Sequence, residues 1–399
     1  MPKTHRYLPI ILIFFILVGC YPLVKKGVKE PSDALKKVKY FWPKFQDDMD
    51  ITSLSLAAER SLEYLNRLGA DTVFTYGPDT FSAEHIKKSL KTFLAIIMQN
   101  LDTKQLNKEL KRKFFLYKAT GFQGSKKVLF TGYFEPILNG NLQRDSIHRY
   151  PIYKRPDDLI NIDLGLFKTK YSGQRIVARI NGREVVPYCT KKDITHGNVL
   201  EGKNLEIAWL KDPLDVAILQ IQGSGIIKLP DGKTIRVGYH ASNGHPYKSI
   251  GRYMIDKGYI EADNLSLQTI RSYLNRHPSV KDDVLHYNPS YVFFRLIDEG
   301  PMGNIAVHLT PGRSLALDNI LFPKGALTYI RCQKPIIGSD GNIVGWVPFS
   351  RFLLNQDTGG AIKGAGRADI FWGNSRYAEL AAGHLKHEGE LYFLVQKPD

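Results

Sequence analysis

Between Gln356 and Gly373 the chain reads QDTGGAIKGAGRADIFWG, and this stretch holds the residue types best suited to chemistry. Two carboxylates, Asp357 and Asp369, flank a turn carrying Gly359, Gly360, Gly364 and Gly366, and the aromatic pair Phe371 and Trp372 follows. Glycine admits positive φ and lets a backbone approach a ligand closely. Carboxylates beside aromatic rings suit a carbohydrate, whose C–H faces stack on rings and whose hydroxyls need acceptors. A solvated turn with incidental acids is the plain alternative for such a cluster.

Other constellations are weaker. His240 and His245, and His384 and His387, lack the cysteine or third-ligand company of a zinc site, so no metal and no cofactor is expected. The glycines of GAIKGAG miss the Lys-Ser/Thr ending of a phosphate loop. Gln222-Gly223-Ser224-Gly225 lacks the G-x-S-x-G spacing of a nucleophile elbow and reads instead as a strand-turn-strand that presents Gln222 and Ser224 to a ligand. Asp357-Thr358-Gly359 is the triplet of aspartic proteases, yet it occurs once, and that chemistry needs two aspartates sharing a proton.

Several elements must position these residues. Apolar residues recur at helical spacing over Leu54–Leu68 and Phe81–Leu101, which predicts two amphipathic helices. Phe114–Gly121 and Val128–Pro136 read as strands. The middle of the chain is rich in short β-like runs, Arg175–Ile180, Val216–Ile221, Ile226–Leu229 and Thr234–Tyr239, with Pro230-Asp231-Gly232 as a hairpin turn. Tyr247–Lys257 and Leu267–Asn275 read as helices, and from Tyr291 onward short strands with Gly and Pro punctuation argue for a small barrel.

At 399 residues with 43% hydrophobic content, the chain can bury a sizeable core as two domains or as one domain with a large insertion. Its beginning reads as an address: Lys3 and Arg6 precede the apolar run Leu8–Val18, which is too short for a stable membrane span. Leu17-Val18-Gly19-Cys20 resembles the lipobox of bacterial lipoproteins, which makes Cys20 the acylated first residue of the mature chain. Tyr21 in place of Asp is similar to lipoproteins of the outer membrane's inner face. The formal charge of +16 belongs to basic residues dispersed along the chain, not to one stripe with interleaved aromatics, which argues against nucleic acid. Anionic lipid head groups and a carboxylate-rich wall polymer fit that charge and address better. Cys189 and Cys332 are read as buried thiols, although an oxidising compartment would allow them to pair.

The chain resembles the membrane-bound lytic murein transglycosylase A family. The resemblance rests on FTGYFEP (130–136), LQIQGSG (219–225), GYHASNGHPYKSIGRYMIDKG (238–258), NPSYVFFR (288–295), TPGRSLALD (310–318) and QDTGGAIKGAGRADIFWG (356–373), in order and sensibly spaced. It implies a mainly β fold with flanking helices: a double-psi β-barrel domain ending in a "3D" segment, plus a smaller inserted β-barrel domain across a groove. The three aspartates of that segment fall on Asp318, Asp357 and Asp369, and the last is the single catalytic acid in the family. The expected organisation is a signal peptide at 1–19, a tether at 20–48, the barrel domain at 49–135 and 270–399, and the insert at 136–269. Asp357, Gln222, Ser224, Tyr133, Glu135 and Tyr291 are the expected groove residues, and Asp318 reads as structural. The implied activity is cleavage of peptidoglycan strands between N-acetylmuramic acid and N-acetylglucosamine with 1,6-anhydro ends. The expected partners are those glycan strands, the outer membrane through Cys20, and wall-synthesis proteins. A two-carboxylate glycoside hydrolase and a non-catalytic wall-binding lipoprotein are the rival classes.

Overall fold

The computed structural model describes residues 27–398; the expected signal peptide and Cys20 lie outside the described residues. Six strands close into a barrel. Around the ring they run His387–Gln396, Leu327–Ile337, Ile343–Asp357, Ser314–Ala316, Arg367–Phe371 and Val128–Tyr133, and the last pairs back onto the first through Val128 to Phe130. Two neighbouring pairs are parallel, Ser314–Ala316 with Ile343–Asp357 and Arg367–Phe371 with Val128–Tyr133. Closure leaves no unpaired edge among these six, so each strand's register is fixed on both sides.

Both helices predicted from periodicity are present, as Ile51–Asn66 and Ala83–Ile97, each started by a side chain that accepts from a backbone N–H of the first turn, Asp50 and Ser82. Their apolar faces, through Leu54, Ala57, Phe93 and Ile96, pack with Phe352, Tyr329 and Phe114 into one cluster. Burying side chains such as Phe93 and Phe352 contributes roughly 1.5–3 kcal/mol each. A third helix, Thr103–Lys113, escaped the periodicity because only Leu110 on it is buried; a capping box of Asp102 and Gln105 sets its start.

The stretch expected as a tether is attached from Pro31 onward. Leu35–Lys37 pairs with Phe114–Ala119, and Ala34, Leu35 and Phe45 are buried. Asp47 accepts from Arg313 Nη1 at 2.7 Å, and Asp48 takes both Nε and Nη2 of Arg351 at 2.7 and 2.9 Å. The two aspartates attach this stretch, since they neutralise the buried Arg313 and Arg351.

After Tyr133 the chain leaves the barrel and builds a second, six-stranded sheet in the order Val292–Leu296, Thr234–Ser242, Ser224–Lys228, Ile137–Asn141, Glu206–Leu210, Tyr150–Tyr153. A bridge between Lys154 and Phe294 joins its two edges around a core of Ile152, Leu210, Ile227, Val237 and Phe294. The hairpin at Asp231-Gly232 is present, with Lys228 opposite Thr234 and Gly232 at φ +84°. Four readings are corrected. Val216–Ile221, read as a strand, lies in the helix Pro213–Gln222: Asp212 caps it, Pro213 occupies its first turn and Gly223 ends it in the left-handed region, and these stop signals outweigh β-branched residues. The strand-turn-strand at Gln222–Gly225 is therefore helix-turn-strand. The return to the barrel comes after Leu296 rather than at 270, because Val292–Leu296 pairs with Thr234–Ser242. The C-terminal region also holds a helix, Arg376–His384, inside what read as strands alone. Cys189 and Cys332 are free thiols, the first half-buried and the second buried.

The Arg313 guanidinium is fully buried, donating also to Ser53 Oγ, Phe352 O and Asp50 O. Asp47→Ala leaves that charge without its carboxylate and should cost ~3–5 kcal/mol of stability, read as a lower denaturant midpoint at unchanged slope. A midpoint equal to that of the parent would contradict this role.

Candidate active site

One residue row across the barrel defines the site. Ala316 pairs with Asp357 on one side and with Asp369 on the other, and Asp369 pairs with Thr131. Asp357, Ala316, Asp369 and Thr131 thus sit abreast on four adjacent strands. With strands ~4.7–4.9 Å apart, the two aspartate Cα atoms stand about 10 Å from each other. Ala316 fills the place between them with a single methyl group and is itself buried.

A bulge sets this row. The pairing steps from Leu315 opposite Asn355 to Ala316 opposite Asp357, which leaves Gln356 as the extra residue. Gln356 turns fully inward, accepting from Ser314 Oγ at 2.6 Å and donating to Ala57 O and Ser61 Oγ at 2.7 and 3.0 Å. Without that residue Asp357 would fall out of line with Ala316.

The two carboxylates are held differently. Asp369 Oδ1 accepts from Thr131 Oγ1 at 2.7 Å, and the same hydroxyl oxygen accepts from Arg367 Nη2 at 3.2 Å. Asp369 Oδ2 accepts no hydrogen bond from the described residues. Asp357 uses both oxygens: Tyr133 donates its hydroxyl to Oδ2 at 2.8 Å and the Asn304 N–H donates to Oδ1 at 3.0 Å. Burial pushes both carboxyls up to about 6. The Thr131 bond and the Arg367 charge offset part of that rise at Asp369; at Asp357 the Tyr133, Thr358 and Asn304 bonds do so, while the nearby Asp369 charge adds to it. The Tyr133 phenol is held far above its ordinary value, first by burial and then by both aspartates, so it remains a donor.

The other expected groove residues divide. Tyr133 lies two residues beyond Thr131 on the same strand face, at the row. Gln222 and Glu135 sit where the barrel joins the second sheet: Gln222 Oε1 accepts from the Phe134 N–H at 2.9 Å, and Glu135 lies 3.0 Å from Arg236 Nε and accepts from Asn374 Nδ2 at 3.2 Å. Glu135 is buried, which raises its pKa above the usual carboxylate value, and Ser224 is nearly closed off opposite Gly238. Tyr291 is a correction: its ring is 1% exposed and packs on Tyr153 and Phe293 inside the second unit, so it has no surface with which to line a groove. Phe371 and Trp372 are also buried, Trp372 against Phe349 and Tyr377, and they shape the barrel wall rather than offer faces to a sugar. Gly132 is required there, since a Cβ would come 2.6 Å from Trp372 Nε1. Asp318 accepts from the N–H groups of Ile320 and Gly364 at 3.0 and 2.7 Å and so pins the glycine turn. Thr131, Arg367, Asn304 and Ala316 escaped the sequence reading. Thr131 and Arg367 each stand two residues from an expected site residue, a strand-period signal that could have found them.

The "MltA specific insert domain" matches residues 129–295 and the "3D domain" matches residues 313–395. A Vibrio cholerae protein named "Membrane-bound lytic murein transglycosylase A" is 32% identical over 271 residues, which span 67% of this chain and 65% of that relative. The crystal structure of MltA from Neisseria gonorrhoeae in its monoclinic form is 30% identical, with 94% of this chain and 98% of that one covered at a TM-score of 0.63. The chain belongs to the membrane-bound lytic murein transglycosylase A family. The membrane-bound lytic murein transglycosylase from Agrobacterium tumefaciens, 28% identical, covers 91% of this chain and 98% of its own at a TM-score of 0.73. Within the transglycosylase A family frame, the carboxylate row draws on both matched stretches: Thr131 and Tyr133 come from the first, and Ala316, Asp357, Arg367 and Asp369 from the second.

Both aspartates bind protons more tightly folded than unfolded, so their contribution to stability is complete below about pH 4 and is lost as pH rises to about 6. Asp357→Asn and Asp369→Asn abolish that loss. Relative to the parent, their thermal midpoints should climb between pH 4 and 6 and then hold a constant offset; parallel curves throughout would contradict the burial described for these carboxyls.

Proposed function

We propose that this chain is a lytic transglycosylase of peptidoglycan, cutting the β-1,4 bond between N-acetylmuramic acid and N-acetylglucosamine. Cleaving a glycosidic bond needs a proton at the leaving oxygen while positive charge builds at the anomeric carbon. Asp369, with its pKa raised to about 6, keeps roughly a tenth of its molecules protonated at neutral pH, far more than an ordinary carboxylate, and can donate. The Thr131 hydroxyl holds one of its oxygens in place, and Arg367 steadies that hydroxyl. Once ionised, Asp369 accepts the proton of the C6 hydroxyl of N-acetylmuramic acid, which attacks its own C1 and closes the 1,6-anhydro ring. The proton balance closes on one carboxylate, and no water is consumed.

The observation that carries this reading is the asymmetry of the two acids. A row about two strand spacings wide also suits the ~6.5–9.5 Å of an inverting hydrolase. In that chemistry Asp357 would have to take a proton from water, yet its oxygens already accept from Tyr133 and Asn304, whereas Asp369 keeps Oδ2 for a reacting group. Asp357 then serves to set Tyr133 and to mark the end of the row away from Asp369, where a sugar hydroxyl can bond.

Asp369→Asn keeps the shape but cannot donate and recover a proton, so turnover of isolated murein should fall by ~10²–10⁴-fold with glycan binding retained. Digestion by the parent in ¹⁸O-water should give unlabelled 1,6-anhydro ends. Labelled reducing ends would sink the transglycosylase reading and promote Asp357 to second catalytic residue.

We further propose that Cys20 is acylated and holds the chain on the periplasmic face of the outer membrane. The support is the Leu-Val-Gly-Cys stretch after a basic and apolar leader and the relatives' membrane-bound naming. A Cys20→Ala chain with a cleavable signal should be recovered from the soluble periplasmic fraction and still digest murein. Recovery with the membranes would refute the anchor.

A further inference from the structure

The second unit brings together three side chains that the proposed reaction does not use. Asp282 and His286 stand one turn apart on the helix Lys281–His286, on the same face, and His196 follows the helix Lys191–Thr195. One donor atom from each lies within 4.8 Å of the other two. We propose that His196, Asp282 and His286 form a binding site for one zinc ion.

The geometry suits that ion. His196 Nε2 is 3.4 Å from Asp282 Oδ2. Two donors bonded at ~2.0–2.1 Å in a tetrahedral shell stand ~3.3–3.4 Å apart, so this edge is already in place. His286 comes with its own outer partner: its Nε2 is 2.8 Å from Thr195 Oγ1, whose hydroxyl donates to Lys191 O at 2.9 Å. With that hydroxyl hydrogen engaged, the oxygen accepts from the imidazole, which fixes the tautomer and leaves the Nδ1 lone pair for an ion. Two imidazoles and one carboxylate with an open fourth position are a zinc donor set. The donor set also selects against hard cations. Calcium and magnesium bind through several oxygen donors, and this site offers one carboxylate beside two imidazoles.

An ion here ties two short helices together. Lys191 N–H already donates to Pro289 O at 2.9 Å, and zinc would add a second link just ahead of Val292–Leu296, the strand after which the chain returns to the barrel. Ligand spacing in the sequence gave no hint, because the two histidines lie in separate parts of the chain.

The test is a zinc chloride titration of the EDTA-treated full chain against a chromophoric chelator, with X-ray absorption on the zinc-loaded parent. One equivalent per chain and two imidazole ligands are expected. Thr195→Ala should weaken binding by the ~10–100-fold typical of losing an outer partner, and His196→Ala and His286→Ala by more. No binding, an absorption spectrum without two imidazoles, or unchanged affinity in the double variant His196→Ala/His286→Ala overturns the site. The absorption measurement decides even if a variant fails to fold.

Discussion

Desolvation of two carboxylates is the constraint on which the rest of this structure turns. Moving Asp357 and Asp369 out of water raises their proton affinity and disfavours their charged forms, which costs stability near neutral pH. A flexible loop could not hold them there. A barrel closed on both sides can, because each strand's register is set by two neighbours and a one-residue slip would turn every side chain to the opposite face. The bulge at Gln356 is the local adjustment that brings Asp357 into the row, and the inward hydrogen bonds of Gln356 keep it from sliding.

Charge inside the barrel wall is handled by the segment that precedes it. Arg313 lies just before the short strand that carries Ala316, and Arg351 lies on the strand that ends in Asp357; both point at residues 47 and 48. The beginning of the described chain therefore supports the two central strands from outside. That makes the N-terminal stretch part of the scaffold that holds the carboxylate row, in addition to any role as a link to a membrane.

Much of this was legible in the sequence, for identifiable reasons. The two long helices announced themselves because one face of each is buried against the barrel, and the Asp231-Gly232 turn because positive φ restricts the residues that can take it. The acids were visible through motif and glycine context. What stayed hidden depends on pairing across the chain. Thr131 and Ala316 matter only because closure places them beside Asp369, and Val216–Ile221 was misread because its β-branched residues are locally ambiguous while Asp212-Pro213 and Gly223 decide the outcome. Tyr291 sits in a matching motif, but motif membership does not distinguish a core ring from a groove ring.

The bond from Thr131 to Asp369 joins positions 238 residues apart, with the whole second sheet threaded between them. The residues of the row stretch from Thr131 to Asp369, so they come together only when the barrel strands pair. Before then Asp369 sits in water and titrates as an ordinary carboxylate, unable to hold a proton at neutral pH. Contacts of such long range also form slowly. Chain topology itself thus acts as a timer: the carboxylate row is assembled only with completed folding.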